Sequence, residues 1–122
     1  MADTIAERHG IRVLLCDPDG ARMRSDRDVV DLIARALEQR AELVAVPVAR
    51  LDERFFPLST GVAGDVMQKF VNYRLRLAIV GDIAAHLGAS TALPALVRES
   101  NRGRQLWFVA DLAELDARLA AG

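Results

Sequence analysis

What most constrains this chain is alternation. Short β-rich apolar runs take turns with segments whose apolar residues recur every three or four positions. Ile11-Arg12-Val13-Leu14-Leu15-Cys16 is the first such run, and it stops at Asp17-Pro18-Asp19-Gly20, a cluster of turn-forming residues. It barely alternates, as a strand buried on both faces does. The stripe Val29, Val30, Leu32, Ile33, Ala36 and Leu37 follows, and predicts a helix capped by Ser25 or Asp26 and running to about Arg40. Residues 42–48 read as the second strand, with Pro47 at an edge or at the strand's end because it cannot donate a ladder hydrogen bond. A helix after Ser59-Thr60-Gly61 carries Val62, Ala63, Val66, Met67, Phe70 and Val71 on one face.

Residues 76–80 are the third strand of the run, ended by Gly81-Asp82. Residues 83–88 hold His86 and suit one helical turn. Ser90 or Thr91 caps a helix through Leu93, Leu96 and Val97, with Pro94 inside the first turn, where N–H groups lack partners anyway. Residues 105–110 form the next strand. Asp111 and Glu114 then have the spacing of a capping box for a last helix carrying Leu112, Leu115 and Leu119. This β-α-β-α-β-α-β-α order predicts a single α/β domain over residues 11–122, with a mainly parallel four- to five-stranded sheet and alternating helices. Residues 1–10 are expected to be a flexible leader or a short extra strand from Thr4.

Composition narrows the function classes. The chain has 122 residues, 16 basic and 17 acidic, so a net charge of −1 gives no reason to expect nucleic acid or an anionic membrane as partner. Aromatics at 5% give no reason to expect a base-stacking platform. The single Cys16 rules out an internal disulfide, and with only His9 and His86 beside it no metal site is expected. Residues 1–10 lack an apolar core, and no run approaches a membrane span, so a cytoplasmic protein without a signal peptide is expected. Neither a G-x-G-x-x-G nor a nucleotide P-loop is present, and no cofactor is expected. No G-x-S-x-G elbow accompanies the nucleophile candidates Ser59, Thr60 and Cys16, so no catalytic residues are assigned and a small hydrolase is the weakest reading.

The chemistry that remains lies at Ser59-Thr60-Gly61. A helix start presents unpaired N–H groups and the positive end of a dipole, and so suits a negative group. One hydroxyl is expected to cap the helix, which leaves the other free. Gly61 and Gly64 lie in the first turn, at a cost of about 1 kcal/mol each against alanine, which close approach of a backbone or a ligand would explain. Asp65, Gln68, Lys69 and Asn72 continue along the polar face. Two uses follow: docking of a protein partner at the turn and polar face, or a small anion held between the Ser59–Gly61 turn and Arg102 or Arg104.

The segment Leu58-Ser59-Thr60-Gly61-Val62 resembles the strand-to-helix motif D-S-[ST]-G-[LIV] of sulfate-transporter and anti-sigma-factor-antagonist (STAS) domains, and the surrounding element order is similar. Leu58 stands where that motif has aspartate. The resemblance implies a non-catalytic regulatory module, with Thr60 at the position of the phosphorylated hydroxyl and Ser59 beside it. A second resemblance is to a bacterial family of domains of unknown function, number 4180. It is carried by Leu58-Ser59-Thr60-Gly61, Gln68-Lys69-Phe70-Val71-Asn72-Tyr73-Arg74, Leu77-Ala78-Ile79-Val80-Gly81-Asp82 and Glu99-Ser100-Asn101-Arg102-Gly103. That family implies a fold but no activity.

Overall fold

The protein is described by a computed structural model covering residues 3–121. Its elements run β1 (Thr4–Arg8), β2 (Ile11–Leu15), α1 (Asp26–Glu38), β3 (Leu43–Pro47), α2 (Val62–Asn72), β4 (Arg76–Val80), α3 (Ala84–Gly88), α4 (Leu93–Arg102), β5 (Leu106–Val109) and α5 (Leu112–Ala121). Short 3-10 turns at Val48–Arg50 and Leu58–Thr60 break the connection from β3 to α2. No helix among the described residues is long and apolar enough to cross a membrane.

The five strands make one sheet in the order β1-β2-β3-β4-β5. The sheet is mixed, which corrects the expectation of a mainly parallel one. β2, β3, β4 and β5 are parallel to their neighbours, but β1 runs antiparallel to β2, pairing Thr4 with Leu15 and Arg8 with Ile11. The reason is the two-residue link His9-Gly10. Both residues have positive φ, 52° and 79°, as a tight hairpin turn with the sheet's twist requires. Pro47 is the last residue of an interior strand, opposite Val80, so it marks a strand end and not an edge.

Side chains alternate across the sheet and divide the core in two. Leu14, Val44, Val46, Leu77, Ile79, Leu106 and Phe108 face α1, α2 and α4, which contribute Leu32, Ile33, Phe70 and Leu93. Val13, Leu43, Ala45, Ala78, Trp107 and Val109 face the other way, onto Leu115 and Leu119 of α5. Three crossovers thus lie on one side, because each parallel strand is placed one step further in the same direction. The last helix turns back under the opposite side, where Asp116 receives the Arg8 guanidinium of β1 at 2.7 Å.

Helix ends follow local chemistry. Ser25 and Asp28 form a reciprocal capping box at α1: Ser25 Oγ accepts from Asp28 N, and Asp28 Oδ2 accepts from Ser25 N, both at 3.2 Å. α1 and α2 both close with a residue in the left-handed region, Arg40 (φ 58°) and Arg74 (φ 55°). In each case the next N–H reaches back to the helix, Ala41 to Ala36 O and Leu75 to Phe70 O, both at 2.9 Å. Neither stop is a glycine, which is why the α1 pattern reads on to Arg40.

Candidate functional site

The Ser59-Thr60-Gly61 turn follows the carboxyl end of β3, where the 3-10 turn Leu58–Thr60 hands the chain to α2. Gly61 is the capping position, at φ 81° and without a side-chain cap. A residue with a Cβ is strained at that angle, so the hydroxyl cap expected from sequence moves one place outward. Thr60 Oγ1 accepts from Val62 N at 3.3 Å and lies within donating reach of Pro57 O (2.9 Å) and Arg54 O (2.5 Å). Thr60 therefore fixes the turn. Ser59 is exposed, and its hydroxyl makes no hydrogen bond with the described residues. The free hydroxyl of the pair is Ser59.

Beside the turn is a cleft of about 370 Å³, between the amino ends of α1 and α2. Thr60 and Asp65 reach it from α2 and its approach, Ser25 and Asp26 from α1, and Asp52 and Arg54 from the loop after β3. Arg54 organises it. Its Nε donates to Asp52 Oδ1 at 2.8 Å, and Nη2 to Asp52 Oδ2 at 3.2 Å and Arg24 O at 2.9 Å. The Asp52 side chain is only 8% exposed. The Arg54 side chain, then its backbone N–H, holds the Asp52 carboxyl down at about 2. Lys69 Nζ lies 3.4 Å from Asp26 Oδ1 and ties α2 to α1. Asp52 and Arg54 escaped sequence reading. Their only signal is an acid and a base two residues apart before the buried Phe55.

A pH dependence follows from Asp52. Its folded-state value lies below the ordinary value near 4, so its contribution to stability is complete above about pH 4 and is lost as pH falls toward about 2. Melting curves of the wild type should drop through that window, and the Asp52→Asn variant should show a shallower drop. Equal slopes for the two proteins would count against the assignment.

Gly64 is exposed, and a Cβ built there meets nothing within 4 Å. Packing inside the chain thus gives no reason for this glycine. Asp65, Gln68 and Asn72 are exposed along the same side of α2, with Gln68 Nε2 donating to Asn72 Oδ1 at 2.8 Å. Val71 (46% exposed) and Tyr73 (48%) add apolar surface at the end of this stripe.

Arg102 and Arg104 are elsewhere. Arg102 ends α4 and Arg104 lies in the link to β5, so both precede a strand, whereas the Ser59–Gly61 turn follows one. Parallel strands put these positions at opposite ends of the sheet, roughly 15 Å apart along a strand of this length. The expected anion site between the turn and these arginines is therefore not formed. Arg102 Nη1 pairs with Glu99 Oε1 at 3.1 Å, both side chains exposed. Strand order also matters for small ligands. In open α/β sheets they favour the crevice where strand order reverses, and the order here never reverses.

The other reactive side chains are occupied. Burial pushes the Cys16 thiol up to about 12, so it stays protonated near neutrality. His86 stacks on Phe56, with ring centroids 4.1 Å apart and planes at 11°. Phe55 and Phe56 are both buried in the core. Among the described residues no group of three or more His, Cys, Asp or Glu could hold a metal ion.

Comparison with known proteins yields one family, described as "Domain of unknown function (DUF4180)", which matches residues 8–119. No curated protein and no solved structure matches the chain.

Proposed function

The chain belongs to the DUF4180 family, and from that premise we propose that it is a non-catalytic, STAS-like regulatory module that docks a protein partner at Ser59, Thr60 and Gly61 and along the exposed stripe of α2. The observation that carries this reading is the division of labour between the two hydroxyls. Thr60 is consumed in building the turn. Ser59 stands free on the surface at the head of a helix. A phosphoryl group on Ser59 would add about −1.5 to −2 charges there without breaking an internal bond. Gly64 supports the same reading, since a glycine unused by the chain's own packing lets a partner approach the helix closely. The cleft beside the turn favours a protein partner over a free anion: it is lined by Asp26, Asp52 and Asp65 against Arg24 and Arg54.

Two substitutions test it. Ser59→Glu should leave the melting temperature within the equivalent of about 0.5 kcal/mol, as exposed substitutions do, yet change which proteins are retained in pull-downs. Gly64→Ala should stabilise the isolated domain by up to about 1 kcal/mol, yet weaken that retention. Identical retained sets for wild type and both variants would remove the proposal.

A further inference from the structure

We propose that the cleft between the end of α4, the start of β5 and α5 binds a small phosphate-bearing molecule. This cleft has a volume of about 660 Å³, within the range of small-molecule pockets. Arg102, Arg104 and Arg118 line it, against the single carboxylate of Glu114. That carboxylate is already engaged, with Oε1 accepting from Ala110 N at 2.6 Å. The excess of positive charge is local, because the whole chain carries −1.

Trp107 is the scaffold. It is 4% exposed, and its indole N–H donates to Gly103 O at 2.7 Å. The guanidinium groups of Arg76 and Arg118 each lie 4.6 Å from its ring. Arginines near helix ends often serve only to satisfy carbonyls. Arg118 does this through Asn101 O, and Arg76 donates to Arg104 O at 2.6 Å. Arg104 does not: its side chain has no hydrogen bond or ion pair with the described residues. Arg102 has only the exposed Glu99 pair, of the kind worth little in water and easily exchanged. Burial, then the charge of Arg104, lowers the proton affinity of Arg76, and the charge of Glu42 offsets part of this.

The guanidinium fork matches two phosphate oxygens at once, which makes a phosphate the anion this cluster fits. A small molecule suits it better than a nucleic acid strand, because the one aromatic ring present is buried and unavailable for base stacking. The site is independent of the Ser59 turn, and either can fail without the other.

Trp107 is the chain's only tryptophan and reports on the cleft directly. Titration with pyrophosphate should change its fluorescence saturably, and sodium chloride at equal ionic strength should not. Arg104→Gln should weaken binding by about tenfold or more, and Arg102→Gln with Arg104→Gln should abolish it. Both side chains are exposed, so the variants should melt as the wild type does. Arg102→Lys with Arg104→Lys keeps the charge but loses the forks, and should bind more weakly than wild type. Arg27→Gln, on exposed α1 surface, should bind like wild type. A signal reproduced by chloride, no saturable signal, or undiminished binding by the double glutamine variant would overturn the proposal.

Discussion

Asp3→Ala should cost the fold about 3 kcal/mol or more, the loss expected when a buried ion pair is left with one partner. For a domain of this size that is a fall in melting temperature of roughly 10–15 °C. Arg50 is 7% exposed, and its Nη1 donates to Asp3 Oδ1 and to Asp17 O, each at 3.0 Å. Its Nε donates to Ala21 O at 2.5 Å. Asp3 Oδ1 also accepts from Asp17 N at 2.9 Å, and Arg35 lies 3.5 Å from Oδ2. Burial pushes the Asp3 carboxyl up, but the bonds from Asp17 and Arg50 and the charges of Arg50 and Arg35 outweigh it and hold the carboxyl below its ordinary value. Even Gly20 belongs to this arrangement, since a Cβ there would sit 2.5 Å from Arg50 Nη1. Removing both charges, as in Asp3→Ala with Arg50→Met, should be less harmful than Asp3→Ala alone, because no buried charge is stranded. Chemical denaturation of the two proteins measures this. An Asp3→Ala protein within about 0.5 kcal/mol of wild type would refute it.

The second large effect is Phe70→Ala, for which a loss of about 3–5 kcal/mol is expected. Phe70 is fully buried where α2 packs on the sheet. Its carbonyl also accepts the Leu75 N–H that closes the helix, but that bond is made by the backbone and survives the substitution. The damage should therefore come from the cavity, and Phe70→Leu, which leaves a smaller one, should cost less. Because α2 carries the proposed docking stripe, the alanine variant should lose partner retention together with stability, in contrast to Ser59→Glu. Denaturation midpoints with unchanged slope identify the effect as one of stability.

The sequence makes β2 to β5 and the main helices legible because each carries its own periodicity. Val29, Leu32, Ile33 and Ala36 declare a helix whatever surrounds them. β1 is not declared in this way. Thr4-Ile5-Ala6-Glu7-Arg8 offers little apolar alternation, and His9-Gly10 lacks the usual asparagine or aspartate before the glycine. Its antiparallel pairing is therefore visible only in the fold. The Asp3–Arg50 pair joins residues 47 apart, and nothing local marks an arginine as buried. The turn at Ser59 was readable as a surface helix start, but which hydroxyl stays free depends on the carbonyls of Arg54 and Pro57 and on the φ of Gly61. The separation of Arg102 and Arg104 from that turn is implicit in the β-α-β order itself. Residues that enter a parallel strand cannot meet residues that leave its parallel neighbour, whatever their charges.

Strand order identical to chain order has a consequence for biosynthesis. As the polypeptide leaves the ribosome, each new strand can add to the outer edge of what has already formed, and none has to wedge between two neighbours already in place. The nascent sheet can grow from β1 toward β5, leaving α5 to seal the reverse side only after β5 is in place.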